Sequence, residues 1–442
     1  MNVAVVDRTA KRQRPPVAAR LRLGEFDRHG TTRALLNERS IEVEHGIPGE
    51  LVDADVFGKR RRWGRITEIV EPSPDRVAAP CPYFHRGCGG CQWQMLDYRS
   101  QVDRKRARAE AELDALGLET RIDRVVAMAD PWRYRHTAAI SLGRSAGFRR
   151  RGTQSIIALD DCLISHPLIG QVMQRLNEAL ESERLPNYLG QVTIETRVVE
   201  RNGRNALHVA IVPSPGSRHA SMEAVMPIAL LLARLDCVAG ILYRHRQDPP
   251  QLLAGDPFGA VTIEGRLFAV SAATFFQTNM ELLPHLIRDL GAGAALSGTE
   301  TVVDVYGGSG ILGLSLASGA LRIVEIEMDG VGVEAGKRSA EMQAVANVSF
   351  IQETAEEALA QLSQADVVIV DPPRAGLSPK VVEAIGNLRP ERILYVSCFA
   401  GTLARDVLDF QRFGYRSTAI RAYDFYPQTY HLELLTTLEL HD

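Results

Sequence analysis

Apolar and polar positions along this chain change their period twice. Over residues 17–75, short apolar–polar alternations are cut by Gly and Pro: VAARLRLGEF, RALLNERSIEVE, HGIPGELVDADVFGK and RRWGRITEIV. Period-two segments with such punctuation predict a small β-barrel. EPSPDRVAAP (71–80) follows as a Pro-rich linker, and 98–118 reads as a helix with a strongly basic start. From about 130 to 270 the pattern is mixed, with strands at TAAISLG, VTIETRVVE, ALHVAIVP and GILYRHR and a helix near 168–182. From about 272 onward apolar strands alternate with helical stretches: TVVDVYG, RIVEIE, VSFIQ, ADVVIVDPP and RILYVSC. Such βα alternation predicts a parallel, doubly wound sheet. RSTAIRAYDFYP and LELLTTLEL close it as an antiparallel edge.

The predicted class is therefore α/β: a Rossmann-like domain preceded by an OB-like β-barrel and a central α+β domain. The expected divisions are a flexible basic tail over 1–16, the barrel over 17–75, the central domain over 76–270 and the Rossmann-like domain over 271–442.

Composition narrows the function classes. No run of eighteen apolar residues occurs, so no membrane span is expected. MNVAVVDRTAKRQRPP lacks the apolar core of a signal peptide, and a cytoplasmic protein is expected. The net charge of -3 hides an asymmetry: residues 1–151 carry +9 and the remainder -12. A basic front third joined to an acidic remainder suits a polyanion partner, although a solvated Arg-rich surface gives the same count. KRRRWGR (59–65) sets four consecutive cations beside Trp63, a pairing suited to RNA backbone contacts and base stacking. Six cysteines are too sparse for a disulfide scaffold. Three of them, Cys81, Cys88 and Cys91, lie within eleven residues, which favours a metal or cluster in a reducing cytosol.

Candidate chemistry gathers at the carboxyl ends of the late strands. DVYGGSGILGLSLA (304–317) is a strand, a Gly-rich turn and a helix, the place where such sheets bind nucleotides. A tight structural turn would look the same. Its glycines match neither a P-loop nor the full dinucleotide fingerprint. With Asp304 before the turn and Glu327 ending the next strand, the loop suits S-adenosylmethionine, whose ribose and cationic sulfonium call for acids. Asp371 in VVIVDPPRAGL follows another buried strand; capping the next helix is its plainer role. Cys398 follows RILYV and precedes a helix N-terminus, which lowers a thiol's pKa. An inert buried thiol is the commoner case, and Glu433 in FYPQTYHLE reads equally as a surface acid. A thiol beside a methyl donor has a particular use. Its attack on carbon 6 of uracil makes carbon 5 nucleophilic, and a carboxylate then removes the carbon-5 proton.

With these residues in view, the chain resembles the RNA uracil-C5 methyltransferase family over about residues 17–440. PGELVDADVFGKRRRWGRITEIVEPSPDRV is similar to its TRAM domain, CPYFHRGCGGCQWQ to its iron–sulfur motif, and SAATFFQTN to its FxQxN segment. DVYGGSG, DPPRAGL, the VSC segment running into TLARD, and the Glu433 end follow in family order. The resemblance implies Cys398 as nucleophile, Glu433 as base, and Gln277, Tyr306, Glu327 and Asp371 at S-adenosylmethionine, with Asp371 also near the target base. It implies a [4Fe–4S] cluster on Cys81, Cys88, Cys91 and Cys162, where the cysteines alone suit zinc equally. Cys237 is left to the core. It further implies a monomer acting on RNA, with barrel and cluster favouring 23S rRNA over tRNA, and no membrane partner. The chain departs from the family pattern at Gly307, where Cys is frequent, and at Ile311, Thr354 and Phe399–Ala400. Those departures keep a catalytically impaired RNA-binding homologue as the alternative.

Overall fold

The structure, a computed structural model, describes residues 15–58, 62–246 and 248–441. The basic tail expected over 1–16 lies almost wholly outside these residues, as do Lys59, Arg60 and Arg61. The chain divides into two compact units. One contains the residues up to Pro80 with 91–101 and 428–430; the other contains 81–90, 102–427 and the chain from His431 onward.

In the first unit, β1 (Val17–Arg22), β2 (Thr32–Leu36), β3 (Arg39–Val43), β4 (Leu51–Phe57) and β5 (Trp63–Glu71) form one sheet of order β1-β4-β5-β3-β2. All neighbours are antiparallel except β3 and β5. The predicted alternation sorts the side chains. In β4, Val52, Ala54 and Val56 are buried while Asp53 and Asp55 are partly exposed. The buried set joins Leu21, Leu23, Ala34, Ile41 and Val43 in a single core. Asn37 and Glu38, with φ of 51° and 61°, make the two-residue turn from β2 to β3. Two positive φ values give that turn the twist a hairpin needs.

The second unit opens with α1 (Pro82–His85), most of α2 (Tyr98–Ala115) and β6 (Ile122–Val126). Its first sheet has nine strands: β7 (Thr137–Leu142), β8 (Ala146–Arg149), β9 (Ile156–Ala158), β10 (Val192–Arg201), β11 (Arg204–Pro213), β12 (Val238–Tyr243), β13 (Gln251–Gly255), β14 (Gly259–Ile263) and β15 (Arg266–Val270). Helices α3 (Pro167–Glu181) and α4 (Met222–Leu232) lie between its strands in sequence.

The second sheet is built from β16 (Thr301–Val305), β17 (Arg322–Ile326), β18 (Val348–Ile351), β19 (Val367–Val370), β20 (Arg392–Ser397), β21 (Tyr415–Tyr423) and β22 (Glu433–Leu440). Its order is β18-β17-β16-β19-β20-β22-β21-β6. The helices that accompany it are α5 (Leu283–Ala294), α6 (Ile311–Leu316), α7 (Gly330–Met342), α8 (Ala355–Leu359), α9 (Pro379–Leu388) and α10 (Ala400–Gln411). The five strands β16 to β20 run parallel. Strands covered on both faces are continuously apolar, and β19, VVIV, is buried at every position.

Two details go beyond the expected βα alternation. Strand β22 inserts between β20 and β21, antiparallel to both. Strand β6, from the region assigned to the central domain, completes the edge in parallel with β21. Behind that edge Lys105 of α2 donates to Asp424 Oδ1 at 2.6 Å, with both side chains fully buried. The same ammonium donates to the Tyr426 carbonyl at 2.9 Å, which fixes the start of the segment leading to Glu433.

Candidate active site

The insertion of β22 decides the site. The last pair between β20 and β22 is Ser397 with Leu434. Cys398 directly follows β20 and Glu433 opens β22, so both stand at the same end of this strand pair. The electrostatics agree: the Glu433 carboxyl acts directly on the Cys398 thiol.

Cys398 is half-buried and Glu433 fully buried. Burial pushes the Cys398 thiol up to about 11; Glu433 and Asp371 push it further and Arg374 opposes them. The helix start expected to lower this thiol does not prevail. Phe399 stands at the N-cap of α10 without a side-chain cap, and burial with two nearby acids outweighs the helix dipole. Burial also drives Glu433 well above the usual carboxylate range, with Asp371 adding to the shift and Arg374 again opposing.

Asp371 follows β19 and is raised to about 7 by burial. The helix-capping role open to it falls instead to Ser378, whose hydroxyl accepts from the Val381 amide at the start of α9. Asp371 Oδ2 accepts from Gln277 Nε2 at 3.1 Å. The Gln277 carbonyl oxygen is buried without a partner. These groups line one cleft with Asp304, Tyr306 and the glycine loop. Tyr306 holds φ 66° at the turn, and burial pushes its phenol up to about 12. Glu327 accepts from the amides of Gly308 at 2.9 Å and Asp329 at 2.6 Å, so it braces the loop. Asp304, the strand-end acid before the turn, is fully buried and accepts from the Gly313 amide at 2.8 Å. An acid-lined cleft with an orphaned amide oxygen fits a cationic ligand such as S-adenosylmethionine.

Of the departures, Ile311 is buried at the start of α6 and Thr354 caps α8 by accepting from the Glu357 amide. The Phe399 backbone is tied to Ser397, whose hydroxyl bonds both its N–H and its carbonyl.

The cysteines divide between the two units. Cys81, Cys88 and Cys162 lie in the second, and Cys91 in the first; all four are buried. Burial raises the Cys88 thiol to about 11, with Cys162 and Cys81 adding to the shift, so these three lie close together. Among the described residues, no three His, Cys, Asp or Glu side chains are arranged as a metal site. Cys237, left to the core, is half-buried.

Residues 359–440 match the model of the tRNA (uracil-5-)-methyltransferase family. An RNA methyltransferase of Halalkalibacterium halodurans is 31% identical over 434 residues, 93% of this chain and 94% of that protein. One from Gloeobacter violaceus is 31% identical over 92% of each chain. The chain belongs to the RNA uracil-C5 methyltransferase family. The Pyrococcus abyssi tRNA (uracil-54, C5)-methyltransferase, solved with S-adenosyl-L-homocysteine, shares its fold. That structure is 24% identical with a TM-score of 0.72, covering 95% of this chain and 100% of its own.

Family order in the sequence singles out Cys398 and Glu433 but not their surroundings. Tyr426 is buried where Glu433, Cys398 and Asp371 all act on it, holding its phenol far above the ordinary value after burial itself. Arg374 donates to His431 Nδ1 at 3.1 Å. That imidazole is depressed to about 3 by burial and by nearby cations, Arg374 first among them, and is therefore neutral. Both residues lie inside quoted motifs, DPPRAGL and FYPQTYHLE, where an Arg and a Tyr read as ordinary surface positions.

Proposed function

We propose that this protein uses S-adenosylmethionine to form 5-methyluridine in RNA, with Cys398 as nucleophile and Glu433 as base. The observation that carries the proposal is the β20–β22 pairing, which brings Cys398 and the buried Glu433 to the same strand end, where the carboxyl acts on the thiol. Bound S-adenosylmethionine would supply an electrophilic methyl group. Gln277, Tyr306, Glu327 and Asp371 would hold it, the unpartnered Gln277 oxygen offering an acceptor. Cys398 Sγ gives its proton to Asp371 and bonds carbon 6 of a uracil flipped out of its strand. Carbon 5 takes the methyl group. The Glu433 carboxylate removes the carbon-5 proton, the 5,6 double bond re-forms, and Sγ leaves.

Cys398→Ala should abolish methyl transfer, and Glu433→Gln should accumulate a covalent protein–RNA adduct resolvable by denaturing gel. Full activity of Cys398→Ala would sink the mechanism. The favoured substrate is 23S rRNA, on the expected pairing of barrel and cluster. The tRNA reading is supported by the matched family description and by the Pyrococcus abyssi enzyme's substrate. Mapping 5-methyluridine in rRNA and tRNA of a deletion strain separates the two.

Cys81, Cys88, Cys91 and Cys162 are proposed as holders of a [4Fe–4S] cluster. The mutual closeness of three of these thiols supports it, since thiolates are the ligands such clusters take. Iron and acid-labile sulfide in anaerobically purified protein check this, and their absence would remove it.

A further inference from the structure

Strand β17 carries an anomaly. Its sequence RIVEI places Glu325 in the middle of a strand whose other interior residues are apolar and buried. Glu325 is itself buried, and in the parallel register its neighbour on β16 is Asp304, also buried. Side chains in register on adjacent strands point to the same face, about 5 Å apart. Neither Glu325 oxygen nor Asp304 Oδ1 makes a hydrogen bond of standard geometry, although the Leu314 amide and the facing carboxyl lie close enough to act on Glu325, while Asp304 Oδ2 accepts from the Gly313 amide. Two buried carboxylates cannot sit side by side both ionised; one proton between them turns the orphaned oxygens into a hydrogen bond.

The cofactor loop is built around this carboxyl. A Cβ at Gly307 would meet Glu325 Oε2 at 2.3 Å, and one at Gly313 would meet Oε1 at 2.2 Å. At Gly310 the distance to Oε1 would be 3.4 Å. The three glycines thus leave room for one acid. Asp304 in turn lines the cofactor cleft with Gln277 and Asp371.

We propose that Glu325 is a positioning residue for the cofactor loop: it shares a proton with Asp304, seats Gly307, Gly310 and Gly313 around its carboxyl, and the pair releases that proton when a cationic cofactor binds. The proposal rests on the S-adenosylmethionine reading. Burial raises Asp304 to about 7 and Glu325 well above the usual range, so the pair still holds a proton near pH 7. The other charges acting on the pair are acidic: Asp371 beyond β19 and Glu327 beyond β17. Helix α6 and the turn from Gly307 to Gly310 bring no ionisable side chain, Tyr306 before them stays neutral with its phenol raised to about 12, and the β18 neighbour of Glu325 is Phe350. Arg266 of β15 is committed to the carbonyls of Leu314 and Ser315. On α5, Arg288 is engaged by Glu264, and Asp289 by Arg124 and Tyr423. A cation arriving in the cleft therefore favours the ionised pair and expels a proton to solvent. S-adenosylhomocysteine lacks the sulfonium charge and should expel less.

The test is calorimetric titration of the full-length protein with S-adenosylmethionine in phosphate and in Tris, whose ionisation enthalpies differ. Wild type should release roughly half a proton per cofactor near pH 7, and its affinity should rise with pH between about 6 and 8. Asp371 titrates in the same range, so the deciding quantity is the difference from Glu325→Gln. That variant keeps the shape and a hydrogen bond to Asp304. It should bind within about 3-fold of wild type at pH 8 while losing most of the proton release and the pH slope. Glu325→Ala should bind at least about 10-fold more weakly at every pH. Identical proton release in wild type and Glu325→Gln overturns the proposal and leaves the cofactor reading intact. Absence of binding by folded wild type overturns both. Should Glu325→Ala fail to fold, the isosteric variant alone decides.

Discussion

At the residue scale, the proposed reacting pair is held in the wrong ionisation state for the proposed chemistry, and Arg374 is the side chain that opposes this. Burial favours the neutral thiol of Cys398 and the neutral acid of Glu433, and Arg374 pulls both back toward their charged forms. All three groups the proposed mechanism uses would work deprotonated: the thiol at about 11, Asp371 at about 7, and Glu433 well above the ordinary carboxylate range. Raised pKa values in groups needed as bases place their active forms at higher pH. The methylation rate should therefore rise from pH 6 through 7 and continue to about pH 9. Arg374→Met should cost about 10-fold at pH 7.5, on the order of one pKa unit of lost opposition, and recover part of that at pH 9. Steady-state rates across pH check both statements. A flat profile in either protein would show that these groups do not limit the reaction.

At the element scale, one buried carboxylate ties together the three segments that carry the site. Asp406 of α10 accepts from the Tyr395 hydroxyl of β20 at 2.6 Å and from the Leu377 amide at 2.8 Å. Its other oxygen accepts from Arg405 Nε at 2.7 Å. Strand β20 leads to Cys398, and the loop ending at Leu377 carries Asp371 and Arg374. Gly376 lies inside the same knot with φ 77°; a Cβ there would meet Arg405 Nη2 at 2.5 Å and Asp406 Oδ2 at 2.6 Å. Asp406→Ala leaves a buried hydroxyl and a buried amide unpaired, which should cost about 3 kcal/mol of stability. Asp406→Asn keeps an acceptor for both and should cost about 1 kcal/mol. Urea unfolding of the two variants decides, and equal losses would mean that the carboxylate only fills space.

How much of this could be read before the structure varies from element to element. The apolar runs TVVDVYG, VVIVDPP and RILYVSC are legible because strands covered on both faces must be apolar, and they do form β16, β19 and β20. Cys398 and Glu433 were legible as candidates, but not as neighbours. Their meeting depends on β22 slotting between β20 and β21, a long-range pairing that no local pattern encodes. Strand β6 was invisible for the same reason: IDRVV is short, half polar and far in sequence from its partner β21. Glu325 left a signal that could have been used. A Glu in the middle of an apolar parallel strand must find a partner or a proton.

At the scale of the whole molecule, the charge asymmetry of the chain makes a claim about where RNA binds. The front 151 residues carry +9 and the rest -12. The acids of the proposed site, Asp304, Glu325, Asp371 and Glu433, all belong to the negative part. A polyanion is repelled by that part and needs an anchor elsewhere. The five-stranded sheet offers one: Trp63 is 43% exposed on β5 and stacks on Phe57 with ring centroids 4.3 Å apart, while Arg65 lies 5.6 Å over the Phe57 ring. Stacking of a base on such a ring is worth about 1–3 kcal/mol, so Trp63→Ala should weaken RNA binding by about 10-fold. Because the remaining attraction comes from cations releasing counterions, RNA affinity should fall by at least about 10-fold between 50 and 200 mM salt. S-adenosylmethionine binding, which the proposal assigns to the cleft of Gln277 and Asp371, should change by less than about 3-fold under either treatment. Parallel fluorescence titrations with RNA and with the cofactor measure all of these. RNA affinity that ignores Trp63→Ala yet keeps its salt dependence would move the anchor off this sheet and onto the basic helix α2.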